Sequence, residues 1–468
     1  MKRIVWIIVS ATVFLTALAA QQSDFNVVLK SGGNLPALAV PDLRGDGQSQ
    51  SFMSVFNQTL WTDLSGSGIF NMVPRSQYPL NVPQQLSDFK IAPQAQNMPA
   101  RRGQAQPSSA DGGGMYLSDW AAPPAKANYV TIGYAAAEHN LFVVRAWLVD
   151  LSIPNPVHAD ALARTYSESL DAAGARTAAH KFGCDIVEKF GSTCMYGTHI
   201  FYVRRSGSLK TPVSEIWMMD PDGQNQKQIT HLNAISDFPA VSPDGSKISF
   251  TSWVHGNPGI FVYSVETGRD LGFYNQRGAS VMGEPSFTPD GKQIVFQSSL
   301  AGCCGIYIAN LNGSNMHAVT AARTIDSEPK VNPKTGAEIA FSSGRSGPEQ
   351  IYRMNIDGTD VQRLTDGTGE ASNPSWHPDG QVLAYAWTRG YMAGAFNIFI
   401  MNVATGQYNQ LTHSEGKNEN PSWAPDGKHL VFMSNRTGRE EIWSMLANGT
   451  EAHQLTTEGV NLHPVWGK

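Results

Sequence analysis

Acidic and aromatic side chains recur at a fixed spacing through residues 196–468, and both kinds of side chain can do chemistry. The stretch 420–432 is a typical copy, with Trp423 and Asp426 at its centre. An indole ring can stack on a ligand, a carboxylate can hold a metal ion, and two carboxylates aimed at one bond can hydrolyse a glycoside. Which of these applies depends on the elements that hold the side chains.

The aspartates of the repeat occupy a turn. In the segment 242–245, Ser-Pro-Asp-Gly, proline fixes φ at the second position, aspartate can bond the local backbone and glycine takes the positive φ that follows. The Pro-Asp-Gly tripeptide recurs at 289–291, 378–380 and 425–427. We therefore interpret these aspartates as turn formers. A metal-binding role is the disfavoured alternative, for which the candidates are Asp220, Asp222 and Asp379.

The aromatic residues of the repeat stand two residues after a proline, at Phe287, Trp376, Trp423 and Trp466. Because they occupy equivalent positions in each copy, we predict that they pack between repeats instead of stacking on a ligand. Asp326 and Glu328 are the candidates for such a carboxylate pair, but the sequence does not show which way their side chains point. The alternative function is therefore a protein that binds or processes a peptide or saccharide in a central channel.

The repeat itself predicts the fold. Its prolines stand at 239, 285, 329, 374, 421 and 464, which gives a spacing of 43–47 residues. Each copy also has an Ile-x-Phe-like strand and an Ile-aromatic strand, and five copies have a further strand that ends in an aliphatic residue and Thr. Four short strands in one such repeat make a propeller blade. Residues 196–468 are predicted to form an all-β, six-bladed β-propeller with four-stranded blades.

The frame of the repeat predicts how the ring closes. The first blade starts with its second strand at Ile200, and the chain ends on an unmatched first strand around Trp466. We expect this C-terminal strand to become the innermost strand of the first blade. Closure of this kind removes free sheet edges that would otherwise pair with other chains.

Residues 34–195 are predicted to form a small α/β domain, because helical and strand periodicities alternate along them. Strands are expected at 35–40, 69–73, 129–134 and 141–151, and helices at 51–64 and about 170–190. The Pro-, Gln- and Gly-rich stretch 79–127 is expected to be an extended or disordered insertion with one helical turn at 116–120. Cys184 and Cys194 are close enough in sequence to form a disulfide in an oxidising compartment, and the alternative is that both remain free thiols.

Residues 1–19 have the pattern of a secretory signal peptide. Lys2 and Arg3 precede an apolar stretch that ends in the small-x-small sequence Ala-Leu-Ala at 17–19. This apolar stretch falls short of the roughly 20 residues that a membrane-spanning helix needs. The chain is therefore predicted to be exported, with cleavage near Ala19 or Ala20, and not to span the membrane. Residues 20–33 follow as a mobile segment with strand potential, which can dock on its own domain or on a partner.

Composition and missing motifs exclude several functions. The 468 residues carry a net charge of −5, which argues against a nucleic-acid partner. The 44 glycines and 27 prolines, with only 16% charged residues, favour a turn-rich β protein. The sequence has no Gly-rich phosphate loop, His-Glu-x-x-His, Cys-x-x-Cys or Gly-x-Ser-x-Gly motif. The absence of these motifs therefore predicts no catalytic, cofactor or metal site.

One face of the propeller is predicted to carry polar residues that can bind a partner. The loops that enter each inner strand share this face with the loops between the second and third strands. Solvated charge is the simpler explanation of such a mixed rim, and partner binding is the functional one. The residues are Asp237, Glu284, Asp326, Glu328, Asn373, Glu419, Asn420 and His463 from the first set of loops, and Arg345, Arg389 and Arg436 from the second.

Taken together, these features resemble the TolB family, the periplasmic component of the Tol-Pal envelope system. The resemblance rests on the secretion signal, the α/β domain and the six repeats with Pro-x-Trp, Ser-Pro-Asp-Gly, Ile-Tyr and Leu-Thr motifs. It covers essentially all of the mature chain. The repeat alone is shared with other propellers, including those attached to serine peptidases, whereas the order and size of the two domains are specific.

The resemblance implies a monomeric, non-catalytic adaptor that serves outer-membrane integrity and invagination during cell division. In the family, the segment after the signal engages the inner-membrane protein TolA, and a propeller face binds the peptidoglycan-associated lipoprotein Pal. A TolA-like partner would contact the N-terminal segment here, through Asp24, Phe25, Val27 and Leu29. A Pal-like lipoprotein would contact the rim residues. The insertion at 79–127 departs from the compact domain of the family.

Overall fold

The structure is a computed structural model that describes residues 35–91, 113–208, 211–272, 282–302, 304–321 and 324–468. The predicted signal peptide (1–19), the N-terminal segment (20–33) and the middle of the insertion (92–112) lie outside these residues. The described chain forms two compact units, one that ends at Tyr196 and one that runs from Gly197 to Lys468.

The first unit is a mixed sheet with helices packed against it. Its strands are β1 (Ala37–Ala39), β2 (Arg44–Gly45), β3 (Asn71–Met72), β4 (Tyr129–Glu138), β5 (Leu141–Asp150) and β6 (Asp160–Ser169). Its α-helices are α1 (Met53–Gly66), α2 (Leu117–Ala121) and α3 (Ala172–Lys189), and 3-10 turns cover Gly47–Phe52, Arg75–Gln77, Leu86–Asp88 and Pro156–His158. The sheet order is β3-β1-β4-β5-β6, with β2 paired to β4, so the unit has the predicted α/β character.

Helices α1 and α3 cover one face of this sheet. Their apolar residues recur three or four positions apart, and Phe56, Leu60, Phe182 and Ile186 are buried together with Phe142 of the sheet. Asp171 is the N-cap of α3: its carboxylate accepts a hydrogen bond from the N–H of Gly174 at 2.7 Å. Cys184 forms a disulfide with Cys194, which ties α3 to the segment that follows it.

The described parts of the insertion, 79–91 and 113–127, are folded, which corrects the expectation of an extended chain there. Helix α2 coincides with the predicted turn at 116–120. Its Leu117 and Trp120 are buried in a second apolar cluster with Val73 and Phe89. The Trp120 indole N–H donates to the carbonyl of Gly114 at 2.9 Å, so its one polar atom is satisfied.

The second unit is a six-bladed β-propeller, as predicted. From the inside outwards, blade one is Val460–Gly467, His199–Ser208, Thr211–Met219 and Lys227–Gln228, and the described strands of blade two are Ser236–Val241, Lys247–His255 and Asn257–Ser264. Blade three is Met282–Phe287, Gln293–Ser298, Gly305–Asn310 and His317–Ala318, and blade four is Asp326–Val331, Glu338–Ser343, Gln350–Asn355 and Gln362–Arg363. Blade five is Ala371–Trp376, Val382–Trp387, Asn397–Asn402 and Tyr408–Gln410, and blade six is Asn418–Trp423, His429–Ser434, Glu441–Leu446 and His453–Gln454.

The C-terminal strand closes the ring. It pairs antiparallel with the strand His199–Ser208, with Trp466 opposite Ile200 and Leu462 opposite Val203. The indole N–H of Trp466 also donates to the hydroxyl of Thr198 at 3.0 Å. The first blade is therefore built from both ends of the propeller sequence, in the arrangement that the repeat frame predicts.

The repeated motifs are structural. Trp423 is buried against Val382 and Ile398 of the preceding blade, so the aromatic residue of the repeat packs between blades. The threonine of the Leu-Thr motif lies two residues after the end of the outer strand and bonds to the third strand: the Thr456 hydroxyl accepts from the N–H of Ile442 at 2.9 Å. The same bond forms from Ile216, Ile306, Ile351 and Ile398 to Thr230, Thr320, Thr365 and Thr412.

The Pro-Asp-Gly turns also behave as predicted. The Asp244 carboxylate accepts from the N–H of Ser246 at 3.1 Å, and Gly245 has a φ of +71°, a conformation that glycine adopts at little steric cost. The Asp379 carboxylate accepts from the N–H of Gln381 at 2.8 Å in the same way. These hydrogen bonds give the aspartates a structural role in the turn.

Candidate functional site

Each inner strand contains a bulge next to the proline that occupies the same place in every repeat. The pairing with the second strand shifts register across it, for example between Glu419 and Ser422 in blade six. The residue before the proline takes a left-handed backbone conformation, with φ values of +44° to +56°. The six residues are Phe238, Glu284, Glu328, Asn373, Asn420 and His463. Non-glycine residues adopt this conformation at a cost, and a bulge redirects the side chain that it carries.

These six residues surround the axis of the ring and line a cavity of about 120 Å³, which we call the channel cavity. Residues one position beyond the prolines also line it, namely Lys330, Ser375, Ser422 and Val465. The sequence predicts that the acidic and polar residues of this face lie in the loops that enter the inner strands. That placement is wrong, because Asp237, Glu284, Asp326, Glu328, Asn373, Glu419, Asn420 and His463 all lie within the inner strands.

A chain of hydrogen bonds links the ring residues of neighbouring blades. The Glu284 carboxylate accepts from the backbone N–H of Glu328 at 2.6 Å. The Glu328 carboxylate accepts from the backbone N–H of Asn373 at 2.6 Å, and the Asn373 side-chain carbonyl accepts from the N–H of Asn420 at 3.3 Å. These acceptors therefore satisfy backbone donors that the bulges leave unpaired in the ladder.

Burial perturbs the titration of the ring. Burial and the nearby Glu328 carboxylate raise the pKa of Glu284 to about 7. The same two causes raise the pKa of Glu349, a residue behind the ring, to about 7. Burial lowers the pKa of Lys330, because its ammonium group leaves water. The net charge at the channel cavity therefore changes near neutral pH.

His463 joins the first and second blades. Its Nδ1 contacts the carboxylate of Asp237, and its ring stacks on Phe238 with centroids 4.6 Å apart. Burial alone would lower the pKa of His463, but the Asp237 carboxylate outweighs it and the pKa lies above its ordinary value. The predicted residues Asp237 and His463 are thus an ion pair across the closure of the ring.

The three predicted arginines lie over aromatic rings. The Arg345 guanidinium sits 4.9 Å from the centre of the Tyr352 ring and pairs with Asp326 at 2.8 Å. Arg436 lies 4.6 Å from the Trp443 ring. Arg389 lies 4.9 Å from the Trp387 ring and forms an ion pair with Asp366. These side chains brace the loops that carry them.

Comparison with known proteins shows the family. The model of the TolB beta propeller domain matches residues 188–390 and 366–468. The chain belongs to the TolB family.

Curated TolB relatives align with parts of the chain. A TolB homolog of Chlorobaculum tepidum is 39% identical over 111 residues, which are 23% of this chain and 24% of that protein. The Tol-Pal system protein TolB of Bordetella pertussis is 36% identical over 159 residues, 34% of this chain and 35% of that one. The Tol-Pal system protein TolB of Cereibacter sphaeroides is 27% identical over 263 residues, 56% and 52% of the two chains. The chain thus spans about a quarter to a half of the length of these relatives.

A solved structure shares the whole fold. TolB from Acinetobacter baumannii superimposes with a TM-score of 0.72 at 23% identity, covering 93% of this chain and 97% of that one. At this identity the similarity shows that both units have the TolB architecture.

The carboxylate pair considered for a protein that processes a peptide or saccharide in its channel does not form. Asp326 is fully buried and bonded to Arg345 and Ser343, whereas Glu328 lines the channel cavity. Glu419, next to the ring, pairs with Lys417 at 2.8 Å, and burial raises its pKa.

Within the described residues no group of three or more His, Cys, Asp and Glu side chains is arranged to hold a metal ion. Of the helices that the structure describes, none is long and apolar enough to cross a bilayer.

Besides the prolines, sequence reasoning missed five residues that line the cavity: Phe238, Lys330, Ser375, Ser422 and Val465. The repeat contains the signal that finds them. Once Glu328 is known to face the axis, Phe238 follows from its equivalent place before a proline. In four blades the residue after the proline also lines the cavity, which identifies Lys330, the two serines and Val465.

Proposed function

We propose that this chain is a non-catalytic adaptor of a Tol-Pal envelope system. The observation that carries the proposal is its membership of the TolB family, together with relatives that are Tol-Pal system proteins in Bordetella pertussis and Cereibacter sphaeroides. The matches to these relatives fall short of their full length, so the system and the partners are part of the proposal.

The propeller face around the channel cavity is the proposed contact for a Pal-like lipoprotein. This face has a polar centre that is held rigidly, since the ring residues are bonded from blade to blade. Rigid, concave and partly polar surfaces are favourable binding sites because little ordering is needed on association. Asn420 lines the channel cavity and Glu419 precedes it in the same strand, and the arginines Arg345, Arg389 and Arg436 brace the loops of this face.

The N-terminal segment 20–33 is the proposed contact for a TolA-like inner-membrane protein. Its alternating Phe25, Val27 and Leu29 give it strand potential, so it could add to the sheet edge of a partner. Both contacts require the periplasm, which the predicted signal peptide at 1–19 would provide. An adaptor with these two contacts would couple the two membranes for outer-membrane integrity and invagination during cell division.

Capture from detergent-solubilised envelopes tests the proposal. The tagged full chain is expressed in the cells that encode it, and co-purified proteins are identified by mass spectrometry and then titrated as pure proteins. We expect the wild-type chain to retain a lipoprotein with a peptidoglycan-binding domain. The variant Glu419→Lys at the cavity edge should lose it, and removal of residues 20–33 should lose only the TolA-like protein.

A matched control is Lys292→Glu, a charge change at an exposed turn away from the cavity. This variant should bind the lipoprotein as the wild type does. Capture that is equal in Glu419→Lys and Lys292→Glu would remove the cavity face from the proposal. Turnover of peptide or glycan substrates by the purified chain would replace the adaptor with an enzyme.

A further inference from the structure

The acidic groups of the channel cavity are already used by the protein. Glu328 accepts from the backbone N–H of Asn373 and from the hydroxyl of Ser342, at 2.6 and 2.7 Å. Its second oxygen accepts from the Asn373 side-chain amide. Glu284 accepts from the N–H of Glu328. Both oxygens of Glu328 and one oxygen of Glu284 are therefore already bonded within the protein.

Lys330 is in the opposite situation. Its side chain lines the cavity, but no described carboxylate lies within ion-pairing distance of its ammonium group and no described residue accepts a hydrogen bond from it. The carbonyl of Lys330 accepts a hydrogen bond from the indole N–H of Trp376, which does not involve the ammonium group. A partly buried ammonium without an acceptor is costly, since it can make three hydrogen bonds.

Three further donors face the same cavity. The Ser422 hydroxyl accepts from the N–H of Trp466 at 3.0 Å, and the Ser375 hydroxyl accepts from the N–H of Trp423 at 3.3 Å. Each hydroxyl still has its own proton to donate, and no described residue accepts it. The side-chain amide of Asn420 likewise bonds to no described residue, although it lines the cavity.

We propose that the channel cavity binds a carboxylate group, held by the Lys330 ammonium and by the hydroxyls of Ser375 and Ser422 with the Asn420 amide. This inference goes beyond the proposed adaptor function and does not depend on it. It follows from the lining groups: the Glu328 carboxylate is bonded within the protein through both oxygens, whereas the four donors are left for a ligand.

The chemistry favours a carboxylate over other ligands. A metal cation would meet the Lys330 ammonium, which repels it. Glu284 and Glu328 repel any anion, and they repel the second negative charge of a phosphate in addition to the first. A carboxylate carries one negative charge and two acceptor oxygens, so it matches one ammonium and a few neutral donors. The volume of about 120 Å³ suits a small group of this size.

Such a carboxylate could be a free small acid or an acidic side chain of a protein partner. Calorimetric titration of the full chain with sodium acetate tests the shared chemistry, with sodium chloride at the same ionic strength as the reference. We expect saturable acetate binding by the wild type. Lys330→Met, which keeps the length of the side chain without its charge, should bind at least about tenfold more weakly, as expected for a lost charge-assisted contact.

Two further variants make the test independent of folding. Ser422→Ala removes one donor without a large change of volume and should weaken acetate binding several-fold. Lys292→Met makes the same chemical change at an exposed turn and should bind acetate like the wild type. Circular dichroism shows whether each variant is folded. If Lys330→Met is not folded, the acetate affinity of Ser422→Ala decides the test. Equal acetate affinity in Ser422→Ala, Lys330→Met and the wild type would overturn the inference, as would the absence of saturable binding.

The source of the carboxylate is found by repeating envelope capture with Lys330→Met. Loss of both acetate binding and lipoprotein capture identifies an acidic side chain of the partner. Loss of acetate binding with capture intact identifies a free acid. If the wild type binds acetate but captures no lipoprotein, the adaptor proposal fails while the carboxylate site stands.

Discussion

The backbone N–H of Asn373 donates to the carboxylate of Glu328 at 2.6 Å, across the boundary between blades five and four. A carboxylate at the axis of a propeller is a candidate for catalysis or metal binding. Here it substitutes for the ladder partner that the bulge removes, and it also accepts from Ser342. The acidic ring is thus part of what holds neighbouring blades in register.

Replacing Glu328 should therefore destabilise the propeller. Glu328→Ala leaves the N–H of Asn373 and the hydroxyl of Ser342 without their acceptor, and we expect a loss of about 2 kcal/mol in the free energy of unfolding. Glu328→Gln keeps an acceptor oxygen and should cost less. Urea unfolding followed by tryptophan fluorescence measures both, with Glu458→Ala at an exposed position as the control. Equal stability of Glu328→Ala and the control would contradict the structural role.

Glu284 makes the propeller sensitive to pH. Its pKa rises from 4.5 to about 7 on folding, so between these values the folded chain holds a proton that the unfolded chain has released. Its contribution to stability is therefore full below about pH 4.5 and is lost as the pH rises towards 7, by roughly 2–3 kcal/mol. Glu284→Gln keeps the acceptor for Glu328 without the charge. It should unfold at higher urea than the wild type at pH 8 and at the same urea at pH 4.

The control for this pH dependence is Glu458→Gln, which changes an exposed carboxylate. Some pH dependence will remain in Glu284→Gln, because Glu349 has a raised pKa of the same kind. The double variant with Glu349→Gln should remove most of it. A wild-type stability that is flat between pH 5 and pH 8 would rule out both assignments.

The fold could be predicted because the repeat places one strand type at each position. The spacing of the prolines and the unmatched strand around Trp466 were enough to count six blades and to close the ring. Strand β6 was missed for a physical reason: it lies at the sheet edge, where most of its residues are exposed and no apolar alternation marks it. Edge strands lack the burial that creates such a signal.

The site was harder to predict because side-chain direction depends on the bulge. Glu328 and Lys330 both line the channel cavity, but a register shift lies between Ser327 and Lys330, and side-chain directions across such a shift do not follow from strand alternation. The sequence identified Glu328 as polar and exposed enough to bind a partner. It did not show that its oxygens are bonded to the next blade or that Lys330 remains free, since both facts are contacts between repeats.

The disulfide should stabilise the first unit. The disulfide joins Cys184, near the end of α3, to Cys194, 10 residues further along the chain. A cross-link of this size restricts the unfolded chain and stabilises the folded state by roughly 2–3 kcal/mol. The double variant Cys184→Ser/Cys194→Ser should unfold the first unit at lower urea and leave the propeller transition unchanged. Near-UV circular dichroism and tryptophan fluorescence separate the two transitions. Treatment of the wild type with a reductant should reproduce the effect, and treatment of the double variant should have none.

The C-terminal strand should determine whether the propeller unfolds as one unit. Removal of residues 460–468 takes the inner strand out of blade one, together with the His463–Asp237 ion pair and the indole of Trp466. The strand His199–Ser208 would then become an open edge, so we expect a lower melting temperature, a broader transition and self-association. Trp466→Ala isolates the packing term and should cost about 3–5 kcal/mol. Removal of Lys468 alone is the control, and a truncated chain that melts like this control would show that the ring does not depend on its last strand.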